Sequence, residues 1–306
     1  MNEILNAKNK YFYDEVIPYI ISGYPSLIKK YYDKMQNQKS ISAALWSSYK
    51  PEEKQYVEID YTNIQLQKVY LMKYFIPHAV LIPFVLDSLS RRNNGDLLHT
   101  ASLELLRSNA LNVSFFGGGP SPELFGLMHY LKKIQPNTIG ISSAVLDKTK
   151  WQIAMKPDYF FETNLIAPSG SFLHPNAADV VRRSDLVVIQ NCLNEIPGSG
   201  CNYNQQLLMN MKRIVNLLKP GSLMLVIERY GYELVRNLLN DFRVYLTTFN
   251  NLKIDYEAYK KLELKESYNN MNISNNMIND LRSDWLLMNN CIHFQWLAVS
   301  KSSYCN

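Results

Sequence analysis

The 306-residue sequence is poor in cysteine, and its cysteines form no recognisable pattern. Cys192, Cys201, Cys291 and Cys305 include no CxxC pair and no cysteine–histidine spacing of the zinc-binding kind. This scarcity argues against a disulfide-stabilised scaffold, and we expect no metal site. With 47% hydrophobic and 19% charged residues, the chain has an ordinary globular composition and is long enough to bury a sizeable core.

Long apolar runs are also absent. The most apolar stretch, 75–89, is interrupted by Pro77, His78 and Pro83, which leaves it too short and too broken to span a bilayer. The first ten residues contain no apolar segment typical of a signal peptide. We therefore expect a cytoplasmic protein that has no membrane partner.

The sequence has no large excess of charge of one sign. Its net charge of +5 is modest for this length, and no RRM, KH or zinc-knuckle pattern occurs. Lys29, Lys30, Arg91 and Arg92 could join a basic surface. A nucleic-acid partner, as for an RNA-binding protein or an enzyme that modifies RNA, is therefore an open but less favoured interpretation.

The spacing of apolar residues divides the chain near residue 110. Residues 1–110 carry apolar residues at helical spacing and predict an all-helical N-terminal region, which we expect to cover a substrate site. Its prolines must kink or end these helices: Pro18, Pro25, Pro77 and Pro83. Residues 111–306 are expected to form a second, Rossmann-like domain with an insertion at about 250–290.

Short apolar runs alternate with helical stretches after residue 110. The runs that predict strands are 111–116, 138–146, 158–166, 184–190, 222–229, 243–249 and 293–300. Such alternation predicts an α/β fold, a doubly wound and mostly parallel seven-stranded sheet with helices on both faces. The last two runs lack a crossover of the same kind, so we expect an antiparallel edge hairpin. We expect a helix at 257–266 between them.

The most informative segment is the glycine-rich turn in VSFFGGGPSPELF. A buried strand enters Gly117–Gly118–Gly119–Pro120, and a helix follows. Glycines allow the backbone to turn tightly and to approach a ligand, and the helix start offers free N–H groups. In an open α/β sheet this turn lies at the strand edge where nucleotides bind. As a dinucleotide fingerprint it is a poor match, because Pro122 stands at the third glycine position.

The order of five motifs resembles the class I S-adenosylmethionine-dependent methyltransferases over residues 111–300. The motifs are FFGGGPSPE, LDKTKW, ETNL, SDLVVIQNCLNEI and LLKPGSLMLVIER. The resemblance implies S-adenosylmethionine as cofactor and transfer of its methyl group. It implies that the glycine turn holds the methionine part, that Asp147 binds the ribose, and that Asn164 and Leu165 contact the adenine. The cofactor-binding candidates are Gly117, Gly118, Gly119, Pro120, Ser121, Glu123, Asp147, Trp151, Asn164, Leu165, Gln190 and Asn191.

Several of these residues also have purely structural interpretations. Glu123 could simply occupy the first turn of its helix, or it could meet the cofactor ammonium group. Asp147 could be an N-cap or turn residue, and Trp151 could stack near the adenine or fill the core.

The catalytic candidates are Asn194, Glu195 and Tyr74. Asn194 and Glu195 follow the fourth predicted strand, where Glu195 could act as a base, but they could also be a helix cap and a surface acid. Tyr74, one helical turn after Tyr70, could line the pocket or belong to a core stripe. His78 lies among apolar residues and is interpreted as a core histidine with satisfied hydrogen bonds.

The first motif departs from the family pattern. Phe115 stands where an acid is usual, and Ser121 replaces the last glycine. These changes leave open a non-catalytic scaffold that keeps the fold.

Our leading hypothesis is a methyltransferase that acts on a small molecule or peptide at O or N. The string from Gly117 to Pro122, with the helical N-terminal region, also resembles nicotianamine synthases, which transfer an aminobutyrate group from the same cofactor.

Overall fold

The computed structural model describes residues 10–24, 59–91, 97–137, 140–152, 157–162, 175–193, 203–264 and 291–302. The described part of the N-terminal region is mainly helical, as predicted. A π-helical turn, Phe12–Val16, continues into the first α-helix. The helices are α1 (Ile17–Ser22), α2 (Ile64–Lys73), α3 (Phe75–Ala79), α4 (Leu81–Ser90) and α5 (Leu97–Arg107).

Two prolines divide the run from α2 to α4 into three helices. Proline has no backbone N–H, so Pro77 and Pro83 cannot donate to the carbonyls four residues earlier. Those carbonyls belong to Lys73 and Ala79, which are the last residues of α2 and α3. The predicted breaks at both prolines are confirmed, whereas Pro25 lies outside the described residues.

The second half of the chain alternates strands and helices. Its strands are β1 (Ala110–Phe116), β2 (Gly140–Asp147), β3 (Tyr159–Glu162), β4 (Leu186–Gln190), β5 (Leu223–Arg229), β6 (Leu252–Glu263) and β7 (Cys291–Lys301). Its helices are α6 (Pro122–Ile134), α7 (Pro175–Arg183), α8 (Tyr203–Leu217) and α9 (Glu233–Leu246).

The seven strands form one sheet in the order β3-β2-β1-β4-β5-β7-β6. Neighbouring strands from β3 to β5 are parallel, while β7 runs antiparallel to both β5 and β6. The order reverses between β1 and β4, so a crevice opens between the carboxyl ends of these two strands. The predicted fold class, including the antiparallel edge pair, is confirmed.

Helices cover both faces of the sheet because the strand residues alternate between two hydrophobic cores. Val113 and Phe115 of β1 face a core that also contains residues of α1, α3, α4, α5 and α6. Phe116 faces a second core with residues of α2, α7, α8 and α9. The N-terminal helices thus pack directly on the sheet. The domain boundary at residue 110 stays a prediction.

Two element predictions near the end of the chain are wrong. Residues 243–249 were expected to form a strand, but α9 continues through Leu246 and a turn follows. The apolar spacing of α9 extends into this run, since Leu239, Phe242 and Leu246 lie on its buried face.

The predicted helix at 257–266 is a strand in its described part. Its Glu, Lys and Leu residues favour helix, but 252–263 form β6, which pairs with β7. Apolar side chains at every second position, Leu252, Ile254 and Tyr256, are the sequence pattern of a strand. A register shift in the pairing between Glu257 and Lys260 interrupts this alternation. Residues 265–290 of the predicted insertion lie outside the described residues.

Candidate functional site

The glycine turn after β1 adopts a backbone that side chains would obstruct. Gly117 and Gly119 have φ values of +64° and +47°, and the N–H of Gly117 donates to the carbonyl of Leu146 at 2.8 Å. A Cβ at Gly117 would lie 2.4 Å from Cβ of Cys192. The turn therefore lies directly against the residues that follow β4.

Two non-glycine residues among those described have positive φ values, and both follow a strand that borders the crevice. Ser121 (φ +63°) lies between the glycine turn and α6, and Asn191 (φ +49°) follows β4. Asparagine tolerates this left-handed region, whereas serine adopts it at a cost. Ser121 stands where the resemblance noted in the sequence implies a glycine, so the left-handed turn is made here without glycine. Strained backbone concentrates at functional sites, which supports a site here.

Asp147 ties the end of β2 to the glycine turn. Its Oδ2 accepts a hydrogen bond from the Gly119 N–H at 2.9 Å, and its Oδ1 accepts one from the Thr149 N–H at 2.8 Å. Burial raises the pKa of this carboxyl, while the N–H groups of Thr149 and Gly119 act in the opposite direction. A carboxylate can accept about four hydrogen bonds. Asp147 therefore keeps acceptor capacity beside these contacts and is both a turn residue and a potential ligand-binding group.

Several buried polar atoms around the crevice have no hydrogen-bond partner among the described residues. Ser121, Glu123, Gln190 and Asn191 are all at least nine-tenths buried. Their unpartnered atoms are Ser121 Oγ, Glu123 Oε2, Gln190 Oε1, Asn191 Nδ2 and Asn191 Oδ1. A buried polar atom without a partner is costly, so a cluster of them indicates a place for a polar ligand.

Gln190 connects this cluster to the N-terminal helices. Its Nε2 donates to the carbonyl of His78 in α3 at 2.9 Å and to Oε1 of Glu123 at 3.0 Å. Burial, with a contribution from the Asp147 charge, raises the pKa of Glu123 well above its ordinary value. The end of β4, the start of α6 and α3 therefore meet in one polar contact.

An aromatic cluster covers the glycine turn from the side of α2. The ring of Trp151 lies 4.8 Å from that of Tyr61 and 5.2 Å from that of Tyr70, and Tyr70 lies 5.5 Å from Tyr74. A Cβ at Gly119 would be 3.3 Å from the indole of Trp151. Trp151 thus lies beside the glycine turn and also packs against Tyr61 and Tyr70. Tyr74 belongs to the second core.

Glu228, which the sequence analysis did not single out, holds the chain that follows β4. Its fully buried carboxylate accepts through Oε1 from the N–H groups of Cys192 (3.1 Å) and Leu193 (3.0 Å). The feature of the sequence that could have indicated Glu228 is its position as an acidic residue near the end of an otherwise apolar strand.

Apart from Tyr74, which lies in the second core, the predicted site residues divide into two groups. The turn residues 117–121, Glu123, Asp147, Trp151, Gln190 and Asn191 come together at the ends of β1, β2 and β4. Asn164, Leu165, Asn194 and Glu195 lie outside the described residues. The roles assigned to all of them stay predictions.

His78 differs from its sequence interpretation. Its Nδ1 forms a hydrogen bond with Tyr70 at 2.7 Å, but its Nε2 has no partner among the described residues. The interpretation as a core histidine with satisfied hydrogen bonds is wrong in this respect.

The described residues offer neither a cluster of metal ligands nor a single membrane-spanning helix. These residues contain no group of three or more His, Cys, Asp or Glu side chains that could hold a metal ion. None of their helices is long and apolar enough to cross a membrane by itself. The bent pair Ile64–Leu71 and Phe75–Ser90 meets the requirements of length and composition jointly, with 63° between its two parts.

Comparison with known proteins identified similarity through structure alone. No model of a protein family matches the chain, and no curated protein matches it. Among solved structures, the plantazolicin methyltransferase BpumL in complex with a pentazolic desmethylPZN analog and SAH is 10% identical. The match covers 88% of this chain and 99% of that chain, with a TM-score of 0.42.

Two further solved structures show similarly low identity. The citrinin polyketide synthase CMeT domain is 12% identical over 96% of this chain and 69% of that chain, with a TM-score of 0.41. A putative S-adenosylmethionine-dependent methyltransferase from Methanococcus maripaludis is 12% identical over 81% and 97%, with a TM-score of 0.35. Because these values are low, the function proposed for this chain rests on its own residues.

Proposed function

We propose that this chain is an S-adenosylmethionine-dependent methyltransferase that acts on a small molecule or peptide at O or N. The observation that carries the proposal is a cluster of buried polar atoms around the glycine turn, at the crevice between β1 and β4, that have no hydrogen-bond partner among the described residues. An open parallel sheet binds nucleotide ligands at such a crevice.

The polar atoms match the amino-acid part of S-adenosylmethionine. Oε2 of Glu123 is an acceptor for its ammonium group, while Ser121 Oγ and Asn191 Nδ2 are donors for its carboxylate. Binding would give each of these atoms the partner that it lacks among the described residues. The amino-acid part thus fits between the turn and the end of β4.

The nucleoside part fits the end of β2. Asp147 can accept hydrogen bonds from a ribose diol through its remaining lone pairs. The indole of Trp151 offers an aromatic surface beside Gly119. The cofactor-binding assignments of Asp147 and Trp151 are part of this proposal.

When bound, S-adenosylmethionine supplies a methyl group that its sulfonium centre already activates. The chain then has to align the acceptor with the methyl carbon and exclude water. Tyr70 in α2 and Tyr74 directly after this helix are both buried, cover the site and would exclude water from it. The methyl acceptor, a small molecule or peptide, would bind beside the cofactor, and the N-terminal helices would determine which acceptor fits.

The first test is calorimetric titration of the purified chain with S-adenosylhomocysteine, with NADH as the control ligand. We expect binding of the first compound only. Asp147→Ala should weaken that binding at least about tenfold, because it removes a charge-assisted hydrogen bond to the ribose. Asp158→Ala is the matched control: Asp158 accepts from the N–H of Ser143 in the middle of β2, so its loss should affect stability and not affinity.

Three results would contradict the proposal. Failure to bind S-adenosylhomocysteine would remove its basis, and unchanged affinity in Asp147→Ala would disprove the ribose assignment. The third concerns the product formed from S-adenosylmethionine with a panel of acceptors. S-Adenosylhomocysteine signals methyl transfer, whereas methylthioadenosine signals transfer of the aminobutyrate group.

A further inference from the structure

His78 and Tyr70 form a buried pair above the crevice. His78 lies in α3 and Tyr70 in α2, and the Tyr70 hydroxyl is 2.7 Å from Nδ1 of the imidazole. The pair is fixed over the end of β4, because the His78 carbonyl accepts from Gln190 Nε2 at 2.9 Å. Both side chains are more than nine-tenths buried.

Nε2 of His78 is a further buried polar atom without a partner among the described residues. His129, in contrast, has its Nδ1 on the Phe125 carbonyl at 2.9 Å and its ring packed 4.1 Å from the Phe125 ring. His129 has the contacts of a structural histidine. His78 has one nitrogen held by Tyr70 and the other left available, which is the arrangement of an oriented base.

The charges around His78 favour its neutral form. Burial lowers its pKa well below the ordinary value, and Arg229 at the end of β5 acts in the same direction. The Arg229 guanidinium lies 5.1 Å from the centre of the Tyr74 ring, and the Lys73 ammonium lies 5.8 Å from it. The Tyr74 ring itself is 6.0 Å from the imidazole. A neutral imidazole is the form that can accept a proton.

The acidic group nearest along the hydrogen-bond chain is Glu123, which contacts the same Gln190 side-chain nitrogen as the His78 carbonyl. In the ligand-free protein burial raises the pKa of Glu123, which favours its neutral form. In the cofactor complex the ligand ammonium group would favour the carboxylate, and the two opposite charges would then balance each other beside His78. Among the described residues, Tyr70 is the side chain that forms a hydrogen bond with the imidazole, and its hydroxyl can accept one from Nδ1–H.

We propose that His78 is a catalytic base, and that its Nε2 removes the proton from the O–H or N–H group of the methyl acceptor. The inference rests on the function proposed above. The acceptor's lone pair forms the new bond to the methyl carbon, and the sulfur–carbon bond breaks with its electron pair going to sulfur. The acceptor proton goes to Nε2, while Nδ1–H donates to the Tyr70 oxygen. The positive charge lost at sulfur reappears on the imidazole, so the net charge of the buried site does not change.

The test uses NMR of the full chain labelled with ¹⁵N-histidine and assigned with His78→Gln. In the S-adenosylhomocysteine complex at pH 7, His78 should be neutral, with its proton on Nδ1. Replacing this ligand with S-adenosylmethionine places a sulfonium charge near the ring. The pKa of His78 should then fall further. If the ring is neutral over the whole pH range measured, the chemical shift of its Nε2 should change instead. The signals of His129 should be the same in both complexes.

A proton on Nε2, or identical His78 signals in the two complexes, would overturn the inference while leaving cofactor binding intact. Failure of both ligands to bind would instead disprove the proposed function. Tyr70→Phe serves as the positioning variant. Loss of its hydroxyl should shift neutral His78 toward the Nε2-protonated form, and an unchanged tautomer would contradict the role given to Tyr70.

Catalysis gives an independent measurement with an O–H or N–H acceptor from the panel. His78→Gln should lower kcat by roughly 10²- to 10⁴-fold, as for removal of a general base. It should leave the affinity for S-adenosylhomocysteine within about twofold, because the ring is assigned to the acceptor. The acidic limb of the kcat profile should disappear in this variant, and an unchanged kcat would contradict the proposal.

Discussion

Replacing Gly126 with alanine is expected to destabilise the protein strongly. Gly126 lies in α6 where this helix crosses α3, and a Cβ there would be 1.6 Å from the carbonyl oxygen of Ala79 and 2.5 Å from its carbon. Both atoms are backbone, so no side-chain rotation relieves the overlap. Alanine normally stabilises a helix interior by about 1 kcal/mol relative to glycine. We expect the opposite here, a loss of about 3 kcal/mol or more in the free energy of unfolding.

Gly140→Ala is the matched control for this prediction. Gly140 begins β2, is exposed, and would place its Cβ with no heavy atom within 4 Å. Its free energy of unfolding should change by about 0.5 kcal/mol or less. Urea unfolding monitored by circular dichroism measures the free energy of unfolding of both variants and of the wild type. Equal stability of Gly126→Ala and the wild type would show that α3 and α6 do not make this backbone contact.

Binding of S-adenosylmethionine is expected to release a proton from Glu123. The pKa of this carboxyl is raised chiefly by burial, so it holds a proton to higher pH than an exposed glutamate. The ligand ammonium group at Oε2 would favour the carboxylate and expel that proton. Affinity should therefore rise with pH up to the pKa of Glu123 in the free protein and level off above it. Titrations in two buffers of different ionisation enthalpy measure the number of protons released.

Glu123→Gln should abolish this proton release and weaken binding by about 1.5–3 kcal/mol, roughly 10- to 150-fold. The substitution should also stabilise the ligand-free protein at neutral pH. A raised pKa contributes stability below the pKa of the unfolded chain, and this contribution is lost as pH rises through the folded value. Glu233, an exposed acid in the first turn of α9, provides the control. Proton release that persists in Glu123→Gln, or disappears in Glu233→Gln, would disprove the assignment.

The sequence predicted the parallel part of the sheet because those strands are buried on both faces. Runs such as 111–116 and 222–229 are nearly continuous in apolar residues, a pattern that surface elements do not have. The glycine turn indicated the site because the left-handed backbone at Gly117 and Gly119 favours glycine, and a run of glycines is visible in the sequence. The residues next to these strand ends could therefore be predicted to converge.

The antiparallel edge was predicted in kind but misplaced in sequence. Residues 257–266 have good helix formers, yet the part up to Glu263 is held as a strand by pairing with β7. Pairing of this sort joins segments far apart in the chain, and local propensity does not contain it. The same reason explains His78. Its apolar neighbours in sequence suggested a satisfied core residue, whereas its spatial neighbours Tyr70, Gln190 and Arg229 come from three other elements.

The two outer strands of the sheet determine how copies of this protein can meet. β3 has four residues within the described part of the chain, and β6 combines a register shift with charged side chains along its length. These charged residues of β6 are Lys253, Asp255, Glu257, Lys260, Lys261 and Glu263. Short, charged or irregular margins are poor templates for an added strand. Continuous sheets between molecules, the usual route into fibrous aggregates, are therefore disfavoured at both margins.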